Sequence, residues 1–359
     1  MNRTPIGVRK TRLSSPMRAQ PSTADSRQLE SHWRQLLEAL VQARTVLLLA
    51  HVSPDADALG STLAVADVLD RRGLEIAVSF GSEPFVVPDG LRWLPGQQYL
   101  RAPSEVGTPP DVALAIDCSS LDRLGTLAPV AQAAGTFAAI DHHASYDGFA
   151  PVSVVDASEP AAGVLTAGLI DRLGGDWSSS AATCIYAAIS SDTGSFRFPS
   201  TNAETLALGA RLIDLGADPG RIAGNLFADK SLAVLRLTGV ALVNAEHSPA
   251  ALGGRGALIA IIDRELRERF GVSYDAAESI VSELATTSDV EVAAVVKQDD
   301  AGLWKVSTRS RGGFDVGRMC TALGGGGHVA AAGYTSRVDL DSTLRGLHQA
   351  LGVVEAPRS

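Results

Sequence analysis

Cysteine is scarce in this chain of 359 residues, limited to Cys118, Cys184 and Cys320. An odd number at these spacings fits neither a metal knuckle nor a disulfide framework, so a disulfide-stapled fold and a thiolate zinc site are excluded and a cytoplasmic protein is expected. Long apolar runs are absent as well. No stretch approaches the roughly 20 residues that a membrane-spanning helix needs, so no membrane partner is expected. Basic residues are outnumbered, with 31 Lys and Arg against 40 Asp and Glu and a net charge of −9. Proteins that track long nucleic acid carry basic stripes that release many counterions, which argues against a long strand as partner. Arg3, Arg9, Lys10, Arg12 and Arg18 do cluster near the start, among prolines and serines and without the apolar run of a signal peptide. Residues 1–30 are therefore read as a disordered basic tail.

What the chain does have is 45% hydrophobic residues and 35 glycines, enough for a sizeable core in two domains. Three short apolar runs each end in acidic or imidazole groups. Val46-Leu47-Leu48-Leu49-Ala50 leads into His51, Asp55 and Asp57; Val112-Ala113-Leu114-Ala115-Ile116 leads into Asp117; Thr136-Phe137-Ala138-Ala139-Ile140 leads into Asp141-His142-His143. In a parallel sheet the carboxyl ends of the strands face one crevice, so these groups are expected to converge. Oxygen and imidazole donors without cysteine suit a hard or borderline divalent ion such as Mn²⁺ or Mg²⁺.

The periodicity predicts a helix over Trp33 to Arg44, a strand over Thr45 to Ala50, a helix over Gly60 to Arg72 stopped by Gly73, and a strand over Leu74 to Phe80. This is the start of a doubly wound, mainly parallel α/β sheet, placed in a first domain over 31–215. Ser180 to Ser190 reads as a helix, and Ser191-Asp192-Thr193-Gly194-Ser195 as a turn presenting another carboxylate. A mostly helical connector is expected over 216–245. A smaller α/β domain over 246–355 would follow, with strands at Ala257 to Asp263, Asp289 to Gln298 and Leu303 to Arg309, and helices at Tyr274 to Thr286, Asp315 to Leu323 and Leu340 to Leu351.

Taken singly, each aspartate also reads as a loop residue capping the next helix, Asp57 before Gly60 among them. Taken together, HVSPDADALGS, the strand end at Asp117, Asp141-His142-His143 and Ser191-Asp192-Thr193-Gly194 resemble the ordered motifs of the DHH phosphoesterase superfamily. That resemblance implies two divalent metal ions, Mn²⁺ foremost with Mg²⁺ or Co²⁺ as alternatives, held by His51, Asp55, Asp57, Asp117, His142 and Asp192, with Asp117 bridging. It makes Asp117 and His143 the catalytic pair, His143 touching substrate phosphate. Asp141 would orient His142 through a hydrogen bond from behind.

A second motif is Gly324-Gly325-Gly326-Gly327-His328. Glycines let backbone N–H groups approach an anion, and His328 can donate to a phosphate; a flexible hinge is the alternative. The segment resembles the GGGH motif of the DHH-associated domain, which family II pyrophosphatases lack. Gly325, Gly326, Gly327 and His328 would then bind substrate, with Arg309 and Ser310 of Arg309-Ser310-Arg311 as the basic element; Arg311 reads equally as a solvated charge. Arg197 is left open, and Cys118 is read as a buried small hydrophobe.

Within the superfamily the sequence is most similar to the bacterial nanoRNase and phosphoadenosine-phosphate phosphatase group. The implied reaction breaks a P–O3′ bond in short oligoribonucleotides, pApA, cyclic di-AMP or 3′-phosphoadenosine-5′-phosphate, giving 5′-mononucleotides, in a protein expected to be a homodimer. The alternatives are a pyrophosphatase- or polyphosphatase-like hydrolase and a non-catalytic cyclic-dinucleotide receptor.

Overall fold

The computed structural model describes residues 23–228 and 230–353, so most of the basic tail expected over 1–30 lies outside the described residues. Residues 23–30 instead form the start of a helix, Thr23–Gln42, which packs against the strand Val152–Val155. His32 Nδ1 meets Ser153 O there at 2.6 Å.

Five strands, β1 (Thr45–Ala50), β2 (Glu75–Phe80), β3 (Val112–Ile116), β4 (Thr136–Asp141) and β5 (Val152–Val155), form a parallel sheet ordered β2-β1-β3-β4-β5. Apolar runs such as Val112–Ile116 are buried along their whole length because helices or loops cover both faces, as parallel sheets require. The chain steps from β1 outward to β2 and then back across β1 to β3, so the strand order reverses beside β1. Loops leaving β1 and β3 part there and leave a crevice at the carboxyl ends of the strands.

The helix after β1 spans Ala56–Asp70 and packs most extensively on the helix Ser179–Asp192. A Cβ on Gly60 would stand 2.7 Å from Cys184 O, so only glycine lets these two backbones approach. A helix Ala162–Arg172, which hydrophobic patterning does not single out, fits against both. Asp192 is the last residue of its helix rather than part of a turn.

The stretch read as a connector is helical at Pro219–Ala223 and Leu232–Val243, with a π-turn at Gly224–Ala228. Beyond it lies a mixed sheet of six strands ordered β10-β11-β9-β8-β7-β6: β6 (Glu246–Ser248), β7 (Ala257–Ile262), β8 (Val292–Gln298), β9 (Trp304–Ser310), β10 (Gly326–Gly327) and β11 (Ala331–Ser336). Separate hydrophobic clusters fill its two faces, one against the helices Val316–Ala322 and Leu340–Leu351 and one against Ile280–Leu284 and Leu232–Val243. The helix expected over Tyr274 to Thr286 is split into a tight turn, Asp275–Ser279, and the short helix Ile280–Leu284.

Candidate functional site

The loop after β1 brings the first acidic groups into the crevice. Asp55 is the N-cap of the helix Ala56–Asp70: its Oδ1 accepts from Asp57 N and Ala58 N at 3.0 Å. Its other oxygen, Oδ2, is 3.7 Å from His51 Nε2. The cap of that helix is thus Asp55, and Asp57 does a different job. Fully buried, Asp57 accepts from Ala162 N at 2.7 Å and Gly163 N at 2.8 Å, satisfying two donors at the start of the helix Ala162–Arg172. Its Oδ2 is also 3.7 Å from His142 Nε2.

Asp117 lies between two groups of donors. Its Oδ2 is 3.9 Å from His51 Nε2, and its Oδ1 is 3.4 Å from His142 Nε2. His51, Asp55 and Asp117 form one set whose ligand atoms lie within 4.8 Å of one another, and Asp57, His142 and Asp192 form a second set of the same span. Asp192 Oδ2 is 3.3 Å from His142 Nε2. Asp117 has φ +60°, a left-handed backbone in which Asp and Asn are among the few tolerated side chains. That conformation costs energy, and such strain persists where the surroundings over-determine it.

The two histidines after Asp141 are oriented differently. Asp141 does not hold the ring of His142. Its Oδ1 accepts from His143 Nδ1 at 2.7 Å and from the backbone N of His142 at 2.9 Å. The His142 ring is set by Glu159 O, 3.2 Å from Nδ1, which leaves Nε2 facing the carboxylates. His51 is set likewise through Val52 O, 2.8 Å from its Nδ1. Nothing in the sequence around Glu159 marks it, because the contact uses a backbone carbonyl.

Charge is strongly concentrated here. Burial and then the charges of Asp117 and Asp192 push the Asp57 carboxyl well above its ordinary range. Burial opposes the charged form of His142, but the carboxylates of Asp117, Asp192 and Asp57 outweigh it and raise the ring to about 12. Among the described residues, Asp117 Oδ1 and His142 Nε2 are buried without a hydrogen-bond partner. Crowded carboxylates and orphaned buried donor atoms fit divalent cations, and oxygen with imidazole suits Mn²⁺, Mg²⁺ or Co²⁺ better than a thiolate-seeking ion.

His328 reaches this site from the other sheet. Its ring stacks on His143 with centroids 4.3 Å apart and lies 5.1 Å from that of His142. Burial, helped by charge on His143 and His142, lowers His328 to about 4. The glycine run serves this approach in ways its sequence does not reveal. A Cβ on Gly325 would stand 2.1 Å from Gly333 O, and one on Gly327 2.6 Å from Ala331 O, so β11 demands glycine at both. Gly325 N donates to Cys320 O and His328 N to Ala331 O, so these N–H groups are engaged within the turn. Within this run, Gly324 and Gly326 are the two with no atom near where a Cβ would be, and Gly324 has φ +85°.

Arg309 is partly buried on β9; burial lowers its guanidinium from the ordinary range, against the opposing charges of Glu278 and then Asp192. Ser310 is turned to other work: its hydroxyl donates to Glu291 Oε1 at 2.9 Å and accepts from Gly312 N at 3.1 Å, tying it to its own loop. Arg311 is exposed and donates to Thr287 O. Arg197 donates to Gly194 O. Cys118 is buried, as expected.

Residues 45–209 match the DHH family, N-terminal domain, and residues 256–351 match the DHHA1 domain. A protein of Thermus thermophilus called bifunctional oligoribonuclease and PAP phosphatase NrnA is 32% identical over 308 residues, 85% of this chain and 89% of that one. A Bacillus subtilis protein of the same name is 26% identical over 303 residues, 83% of this chain and 91% of that one. Among solved structures, an exopolyphosphatase-related protein from Bacteroides fragilis superposes with a TM-score of 0.81 at 25% identity, covering 90% of this chain and 96% of that one.

Proposed function

Because the chain belongs to the DHH family and carries a DHHA1 domain after it, we propose that it is a metal-dependent hydrolase of phosphoester bonds acting on short nucleotides. The observation that carries the reading is the division of Asp117, with one oxygen toward His51 and the other toward His142. One divalent ion would be held by His51, Asp55 and Asp117, and a second by Asp57, Asp117, His142 and Asp192; Mn²⁺ is the ion assigned. Bound in this way, such a pair polarises phosphoryl oxygens and makes a water nucleophile available near neutral pH.

The chain's own groups do the rest. Asp141 holds His143 by Nδ1, which leaves Nε2 to meet a substrate phosphate. His328 and Arg309 approach from the second sheet and enclose the phosphate from the opposite side. Gly325, Gly326 and Gly327 serve substrate binding by placing His328; Ser310 contributes through its loop. Water adds OH to phosphorus and its remaining proton goes to O3′, so the P–O3′ bond breaks and a 5′-mononucleotide leaves. The substrates proposed are short oligoribonucleotides, pApA, cyclic di-AMP and 3′-phosphoadenosine-5′-phosphate, supported by the two relatives called oligoribonuclease and PAP phosphatase. A DHH unit ending near 215, a connector over 216–245 and a substrate-binding unit over 246–355 belong to the same proposal, as does a cytoplasmic homodimer. Among the described residues no helix is long and apolar enough to cross a membrane.

The test is a substrate panel with Mn²⁺. AMP release from pApA and from 3′-phosphoadenosine-5′-phosphate is expected, without phosphate release from pyrophosphate. The reverse pattern would establish a pyrophosphatase-like hydrolase, and tight binding of cyclic di-AMP without turnover would establish a receptor.

A further inference from the structure

The second sheet carries a lysine in its interior. Lys297, on β8, is fully buried, with its ammonium 4.8 Å from the ring centroid of Tyr274. Glu278, on the turn Asp275–Ser279, meets this charge through Oε1, while its Oε2 accepts from Ser307 Oγ at 3.3 Å. An ammonium is expensive to bury, and a well-packed apolar side chain of similar volume commonly stabilises a core as well or better. Stability alone does not account for a lysine at this position.

Its neighbours supply another account. Ser307 stands opposite Val295 and Arg309 opposite Ala293, so by the two-residue alternation of strands Lys297, Ser307 and Arg309 share one face of the sheet. Glu278 is the carboxylate whose charge acts most strongly on Arg309, ahead of Asp192. Among the described residues, however, no carboxylate ion-pairs with Arg309, whose Nη1 donates to the neutral carbonyl of Thr308 at 3.0 Å. A carboxylate free to swing onto a guanidinium forms a two-pronged pair that occupies the same donors a phosphate needs. Here Lys297 and Ser307 each hold one oxygen of Glu278.

On the reading of Arg309 as the phosphate contact, we propose that Lys297 is a positioning residue that keeps Glu278 off Arg309 and so leaves the guanidinium open to substrate. The site thus contains its own competitor for Arg309, held aside by a buried cation.

Steady-state kinetics on pApA with the full chain and Mn²⁺ test this in five proteins: wild type, Lys297→Met, Glu278→Gln, the double variant and Arg309→Ala. Lys297→Met is expected to raise KM by about tenfold, the scale of losing a charged hydrogen bond to phosphate, with kcat much less affected. Removing the competitor as well should reverse this, bringing KM of the double variant to within about threefold of Glu278→Gln; confinement of both changes to KM, with kcat held, is the part that a merely structural ion pair would not produce. An unchanged KM in Lys297→Met, or a double variant as impaired as Lys297→Met, overturns the proposal. Should Lys297→Met fail to fold, Lys297→Leu, which likewise cannot donate to Glu278, carries the same two expectations. Arg309→Ala separates the levels: a wild-type KM there removes the phosphate reading itself, whereas an impaired Arg309→Ala beside an unrescued double variant removes only the role of Lys297.

Discussion

At the scale of single residues, the site depends on which atom of each side chain is left over once its structural bonds are made. Asp55 uses Oδ1 as a helix cap and keeps Oδ2 toward His51, so the oxygen proposed for metal binding is the one that capping leaves over. Among the described residues Asp117 makes no such bond with Oδ1. Asp117→Asn is the informative substitution, since Asn accepts the left-handed backbone at φ +60° that Ala resists. It is expected to cut turnover by about a hundredfold or more, beyond the usual loss when a residue supporting a ligand is changed, and to lower Mn²⁺ stoichiometry in titration calorimetry with the fold intact. Full stoichiometry would remove the bridging role. Asp141 acts one step back, through His143 Nδ1. Asp141→Asn should therefore leave Mn²⁺ stoichiometry intact and lower kcat by about tenfold to a hundredfold.

At the scale of elements, the site depends on how closely two helices approach. Ala56–Asp70 carries Asp57 and starts at its cap Asp55, and Ser179–Asp192 ends at Asp192; the contact between them runs through Gly60 and Cys184 O. Gly60→Ala forces a Cβ to 2.7 Å from that carbonyl, so the helices must part. The expected cost is about 1 to 3 kcal/mol in urea unfolding, together with weaker Mn²⁺ binding. Gly346, in the helix Leu340–Leu351, has no atom within 4 Å of its would-be Cβ. Gly346→Ala should go the other way, gaining about 0.5 to 1 kcal/mol from a stiffer unfolded chain and better helix propensity, with metal binding unchanged. Equal effects of the two substitutions would sink the packing argument.

At the scale of the whole molecule, His328 stacked on His143 closes the crevice from the second sheet. A crevice closed from two sides suits a few nucleotides, whereas proteins that bind long strands offer an open basic groove. Among oligoadenylates, kcat/KM should therefore be highest from two to about five nucleotides and fall steeply beyond, at the short end of the strand lengths that groove-type binders occupy. Comparable efficiency on a strand of about twenty nucleotides would point to an open channel instead. His328→Ala should keep its Mn²⁺ while losing about tenfold in kcat/KM on pApA, because only the contact from the second sheet is removed.

The sequence by itself determined the parallel sheet and most of what its strand ends present. Val46–Ala50, Val112–Ile116 and Thr136–Ile140 are apolar without alternation, a pattern that only burial on both faces explains, and a polar group directly after such a run has the crevice to enter. The tertiary structure decided everything that rests on contacts distant along the chain. Asp57 bonds to Ala162 N and Gly163 N, and His142 is oriented by a backbone carbonyl, neither of which leaves a residue-type signal. Glycines at 325 and 327 are dictated by a neighbouring strand, a requirement that looks the same in sequence as a cradle for an anion. Lys297 reads as an ordinary polar strand end until folding buries it beside Glu278, because the energy of a charge is set by the medium around it and not by its place in the chain.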